Sequence, residues 1–297
     1  MTKRVLVTGA GGLIGHRVVE LLSRSCEPVA LVRSAGAAPH GVEEIATDLA
    51  DPTFVQRLPS RMDAVIHLAQ AAGFANFPDD APSVFRVNTG AFAELLAWAA
   101  KAGVKSFVHA SSGGLYGRGP KPFSEEAAPR IEGPLAFYLG TKCAAELLAK
   151  PYGSVFSVAA LRYFFVYGPR QRDSMLIPRL VRSVSNGQAI TLAGRDGMRI
   201  NPIYVDDAAE ATIAALRLEG STVANVAGSE ALPLREIAHL IGEAVGVSPQ
   251  FQTSNEPEGN DLLADISRMQ ELLHTPRIGF REGVGRLVDA NRVASNA

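Results

Sequence analysis

Cysteine is scarce. Cys26 and Cys143 are the only two among 297 residues, and they form neither a CxxC pair nor a disulfide framework, which fits a reducing cytosol. The six histidines show no metal-ligand spacing, so no bound metal is expected. Neither sign of charge is in excess. Lys and Arg number 29 against 30 Asp and Glu, with no basic block, which argues against nucleic acid or an anionic membrane as the main partner. Glycines interrupt MTKRVLVTGAGGLIG within nine residues, too soon for a signal-peptide core. No apolar run approaches the roughly 20 residues that span a bilayer. The expectation is a soluble, cytoplasmic protein. What is abundant is apolar sequence, 47% of the chain, enough for one large domain or two smaller ones.

Short β-rich runs alternate with longer helical patterns. VLVTG from Val5, PVALVR from Pro28, DAVIHLA from Asp63 and VKSFVHASS from Val104 read as strands, and VFSVAALRYFFVYG from Val155 begins as one. GLIGHRVVELLSR and residues 80–102, 137–150 and 174–186 read as helices. Strands apolar on both faces, alternating with helices, predict a Rossmann-type α/β fold, a doubly wound parallel sheet covered on both sides. After GPRQR (Gly168–Arg172) the rhythm changes. The chain is expected to return to the sheet with INPIYV, then to form a helix from Asp206, with short helices and loops from Gly228 onward. This divides the chain into a dinucleotide-binding domain (1–167 plus about 200–227) and a smaller, interleaved C-terminal lobe (168–199 plus 228–297). The space between two lobes is a usual place for a substrate.

VTGAGGLIG joins the first strand to the first helix, with Gly9, Gly12 and Gly15 in GxxGxxG spacing. Glycines there permit a tight turn, close backbone approach to a pyrophosphate and close helix–strand packing. At the end of the second strand a carboxylate would hold the ribose 2′-hydroxyl of NAD, whereas a basic residue accommodates the 2′-phosphate of NADP. The strand ends ALVRS, and Arg33 favours NADP because a guanidinium holds phosphate bidentately. Asp48, after the third strand, either reaches the adenine or caps the following helix.

In FYLGTK, Tyr138 and Lys142 stand four residues apart and share a helix face. A phenol is a poor base at neutral pH, but an ammonium and a cationic nicotinamide nearby would favour phenolate and let Tyr138 exchange a proton. Ser111 and Ser112, in HASSGGLYG, offer a hydroxyl donor at a strand end. His67, in VIHLA, reads as a satisfied strand-end residue.

Read together, TGAGGLIG, VIHLA, Asn88, SSGGLYG, YLGTK, LRYFFVYGP and YVDD resemble the extended short-chain dehydrogenase/reductases, the NAD(P)-dependent epimerase/dehydratase family, from about residue 3 to 245. The resemblance implies Ser112, Tyr138 and Lys142 as catalytic residues, with Lys142 also on the nicotinamide ribose. It implies a cofactor site of Gly9, Gly12, Leu13, Ile14, Gly15, Arg33, Asp48, Leu49, Leu68, Ala69 and Asn88. It also implies a homodimer packed through helices 80–102 and 137–150. Gly113, Gly114, Tyr116, Phe165 and Arg199 fall in the substrate region, where Tyr116 either packs or lines the site.

The departures concern the substrate. Dehydratases of this family carry Asp-Glu where this chain has Gly113-Gly114, so dehydration is disfavoured. Nucleotide-sugar enzymes usually carry Asn where this chain has Phe165. They also carry Arg where it has Ile200, with Arg199 one residue earlier and a bulge at Asn201-Pro202 able to re-aim it. Arg170, Arg172 and Arg179 are further candidate anion binders. The leading expectation is a nucleotide-sugar 4-epimerase or 4-ketoreductase. The alternatives are an NADPH-dependent reductase of a small carbonyl compound without a diphosphate, and a non-catalytic dinucleotide sensor, against which the intact Ser112, Tyr138 and Lys142 speak.

Overall fold

The computed structural model describes residues 3–254 and 261–295; the stretch 255–260 of the expected C-terminal lobe, and the two residues at each terminus, lie outside the described residues. Six strands alternate with helices as far as residue 163: β1 (Arg4–Thr8), β2 (Glu27–Val32), β3 (Glu43–Ala46), β4 (Ala64–His67), β5 (Ser106–Ser112) and β6 (Ser157–Tyr163). A seventh strand, Ser221–Val226, pairs with β6. The spatial order runs from that strand through β6, β5, β4, β1 and β2 to β3, with every pair parallel. Chain order reverses between β1 and β4, and such a reversal leaves a crevice at the strands' carboxyl ends.

Alternating residues of β1 explain the two covered faces. Leu6 packs with Val29, Val65, Phe92, Leu95 and Ala145 on one side. Val5 and Val7 pack with Val18 and Ala208 on the other. The first face is covered by α2 (Ala81–Phe85), α3 (Ala91–Lys101) and α4 (Ala136–Ala149). The second is covered by α1 (Leu13–Leu22) and, later in the chain, α6 (Val205–Ala214). The predicted helix 80–102 is continuous but contains a π turn at Arg86–Gly90 between α2 and α3; such turns concentrate at functional sites.

A third apolar cluster gathers Ile177 and Leu180 of α5 (Leu176–Ser185) with Ile237 and Ile241 of α7 (Leu234–Val245). Leu287 of the C-terminal helix Phe280–Ser295 joins them. These last two helices, of 12 and 16 residues, are longer than expected. Sequence reading also misplaced INPIYV. Ile203–Tyr204 pairs with Val166–Tyr167 outside the central sheet, and the true seventh strand is STVANV at 221–226. Pro202 has no N–H to donate, so it splits the run into two-residue strands.

Candidate active site at the sheet's switch point

The loop after β1 is built for close approach. Gly9 has φ +70, and a Cβ there would meet Ala69 N at 2.8 Å; a Cβ on Gly15 would meet Gly9 O at 2.2 Å. Gly12 leads into α1 with no side-chain cap, leaving the helix's first N–H groups to bind an anion. This cradle fits a dinucleotide pyrophosphate. Gly15→Ala is expected to weaken dinucleotide binding about 10-fold or more, because displacing a packed backbone costs about 1–3 kcal/mol. Equilibrium dialysis checks it.

On α4, Tyr138, Lys142 and Glu146 recur every four residues and form one stripe against the end of β5. Lys142 Nζ donates to Ala110 O at 3.0 Å. Ser111 donates to Glu146, and Ser112 hydrogen-bonds Tyr138. Ser111 is therefore occupied elsewhere, and Ser112 is the serine beside the phenol. Ser112 Oγ also accepts from Gly114 N at 3.1 Å. Tyr138 donates to Gln70 Oε1 at 3.0 Å and packs on Phe74, centroids 4.9 Å apart.

The π turn braces this helix. Asn88 Nδ2 donates to Thr141 Oγ1 at 3.1 Å, and Asn88 Oδ1 accepts from Ala71 N at 2.9 Å. One buried amide thus ties α4 to the segment after β4.

The electrostatics differ from expectation at one point. Burial pushes the Tyr138 phenol up, with the Ser112 hydrogen bond only partly opposing it. Lys142 Nζ lies 5.7 Å from the Tyr138 ring centroid and bonds a carbonyl instead, so the free protein holds a neutral phenol. Burial lowers Lys142 itself to about 8. His67 and His109, paired across β4 and β5, are pushed down by burial to about 3 and about 4 and are neutral. His67 Nδ1 is 2.8 Å from Thr8 Oγ1, a satisfied strand-end residue.

Other predicted positions separate. Leu13, Ile14, Leu68 and Ala69 are partly buried around the crevice, whereas Leu49 is 6% exposed and belongs to the core. Asp48 accepts from Ala50 N at 2.8 Å, closing a turn, and is otherwise exposed. Arg33 is exposed at the end of β2. Tyr116 is buried, and its hydroxyl donates to Asn225 and accepts from Arg162, which makes it a packing aromatic. A Cβ on Gly113 would meet the Phe164 ring at 2.4 Å, and one on Gly114 would meet Leu139 at 2.9 Å. Phe165 has φ +43, a backbone region that Asn tolerates and a bulky residue rarely adopts. Arg199 does not reach an open anion site. Its Nη2 lies 2.7 Å from Asp261, and its backbone N bonds the same carboxylate. Arg170, Arg172 and Arg179 are exposed.

Gln70, Glu146 and Arg162 were not read from the sequence. Glu146 had a signal, the same four-residue step that links Tyr138 to Lys142. Gln70 had none, since its contact spans 68 positions.

Among described residues no helix is long and apolar enough to cross a membrane. The chain is 29% identical to a UDP-glucuronate 4-epimerase of Thermodesulfobacterium geofontis, covering 96% of this chain and 94% of the relative. It is 30% identical to a UDP-N-acetyl-alpha-D-glucosaminuronate decarboxylase of Bacillus cytotoxicus, covering 100% of both. MoeE5, solved in complex with UDP-glucuronic acid and NAD, superposes with TM-score 0.86 at 32% identity over 98% of this chain and 99% of its own. The NAD dependent epimerase/dehydratase family matches residues 5–227, and with the glycine cradle and the Ser112–Tyr138–Lys142 geometry behind that match, the chain belongs to this family.

Proposed function

We propose that the protein is a nucleotide-sugar 4-epimerase in which Tyr138 moves the proton of a sugar hydroxyl. The observation that carries this reading is the meeting of the Ser112 and Tyr138 hydroxyls at the end of β5, with Gln70, reached from the end of β4, on the phenol. A bound dinucleotide supplies reversible hydride acceptance. Gly9, Gly12, Leu13 and Ile14 would hold its pyrophosphate, and Lys142 its ribose. Ser112 Oγ accepts from Gly114, so its own hydrogen remains available to the phenol or the substrate oxygen. Tyr138 takes the hydroxyl proton as the alcohol is oxidised and returns it after the sugar turns over. Gly113 and Gly114 carry no proton donor, and Phe164 fills the space of a side chain at 113, which supports epimerisation over dehydration.

The reading is supported by the relative named a UDP-glucuronate 4-epimerase and by the UDP-glucuronic acid and NAD bound in MoeE5. Its test is turnover of UDP-glucose, UDP-glucuronic acid and UDP-N-acetylglucosamine by purified protein with NAD. Interconversion at C4 without net absorbance change is expected; NADPH consumption by a phosphate-free ketone, with no sugar nucleotide turned over, overturns it.

For the cofactor, Arg33 supports NADP. Glu44 on the adjacent β3 accepts from Gly36 N and Ala38 N, so this carboxylate is committed to the loop. Arg33→Ala is expected to weaken NADPH binding about 10-fold, one charge-assisted contact, and to leave NADH binding unchanged. Fluorescence titration of both cofactors reads the difference. Exposed Phe85, Leu147 and Leu148 on the 81–101 helix and α4 support a homodimer. The lobe of α5 and α7 is the proposed substrate side.

A second reading rests on Arg199, neutralised by Asp261, and on apolar Phe165. Both favour a small ketone without a diphosphate.

A further inference from the structure

The geometry points to Gln70 as a positioning residue that holds the Tyr138 hydroxyl as a donor in the resting protein and releases it to the substrate oxygen. This rests on the reading of Tyr138 as the acid/base group. The Tyr138 hydroxyl is 3.0 Å from Gln70 Oε1, and an amide oxygen only accepts. The pair can form only while the phenol keeps its hydrogen. A phenolate would lose the bond and place its charge against the lone pairs of Oε1, so Gln70 favours the protonated form.

The surroundings leave this contact exposed to little competition. The titratable groups packed on Tyr138 are Lys142 and Cys143, both on α4. The facing elements bring Ser112, Phe74 and Leu115, none of which titrates. Lys142 is turned to Ala110 O, and burial keeps the Cys143 thiol neutral by pushing it up. Tyr138 is 9% exposed, whereas Gln70 is exposed and sits next to Ala69, against which the glycine loop packs. The amide is thus a mobile group at the crevice, bonded to a fixed phenol. A substrate oxygen entering between them replaces Oε1 as the acceptor, and the proton is already directed toward it. The freed amide keeps an N–H₂ donor and an oxygen acceptor for the same polar substrate.

Two substitutions separate this from packing. Gln70→Met keeps the length and removes the acceptor; Gln70→Glu keeps the acceptor and adds charge. Carbon-13 labelling at the tyrosine Cζ, with Tyr138→Phe to assign its resonance, follows the phenol directly in the NAD-bound protein. The titration midpoint is expected to move to lower pH in Gln70→Met by about half a unit, the scale of one hydrogen bond. It should move to higher pH in Gln70→Glu. Identical midpoints in all three proteins, or shifts of the same sign in both variants, overturn the assignment of Gln70. If the shifts are opposite but Tyr138→Phe still epimerises sugar nucleotides, the positioning stands and the acid/base reading of Tyr138 falls.

Discussion

Tyr138→Phe is expected to lower kcat by about 10²–10⁴-fold, the usual contribution of a positioned proton-transfer group, while the protein folds and binds NAD as before. The ring's packing is preserved because Phe fills the same space beside Phe74, Leu115 and Leu139. The bond lost with the hydroxyl is the one to Gln70, an exposed side chain that water can satisfy, so the melting temperature should stay where it is. Lys142 keeps its anchor on Ala110, and the glycine cradle is formed by other elements. What disappears is the atom that takes the sugar hydroxyl proton. Ser112 does not replace it: a serine hydroxyl is far too weak an acid, and Gly114 N already holds its oxygen. Sugar-nucleotide interconversion assayed beside NAD affinity and thermal melting reads all three. Full activity in the variant would show that another group moves the proton.

The sequence revealed elements wherever burial imposes a pattern. β1 and β5 are apolar on both faces because helices cover both, and the glycine loop, Tyr138 and Lys142 follow from spacing along one element. Contacts between distant segments left no such trace. Arg199 lies 62 positions from Asp261, and nothing in either neighbourhood announces that the guanidinium is already neutralised. Tyr116 looked able to line the substrate site, but Arg162 and Asn225 claim its hydroxyl from two other strands. STVANV was overlooked beside INPIYV because both are short and β-branched. Only the pairing of Val226 with Tyr163 distinguishes a central strand from a two-residue one. The raised phenol was equally hidden, since proximity of Lys142 in sequence said nothing of the burial that outweighs it.

The largest effect on stability is expected from Arg162→Met. Arg162 and Glu146 form a bidentate ion pair at 2.9 and 2.7 Å, with side chains only 6% and 12% exposed. Removing one partner strands a buried charge, which typically costs about 3–5 kcal/mol. For a chain of this length that lowers the melting temperature by roughly 10 °C. Tyr116 loses a donor at the same time but retains Asn225. The effect should depend on pH in a defined sense. Burial alone would raise Glu146, yet its bonds to Arg162 and Ser111 hold it below the ordinary 4.5. In the wild type the pair therefore stabilises fully above that value, and its contribution is lost as pH falls through the depressed folded one. In Arg162→Met the carboxyl keeps its burial without its partner, so its pKa moves up and protonation relieves the strain. The gap in melting temperature between the two proteins should be wide at neutral pH and narrow in acid. Adding Glu146→Gln should recover part of the loss, because a neutral amide no longer needs a counter-charge there. Glu146 shares its helix stripe with Tyr138 and Lys142, so the single variant should also lose turnover below its melting range. A loss of stability equal at all pH values would mean that packing of the long arginine side chain, rather than its charge, is what holds α4 against β5.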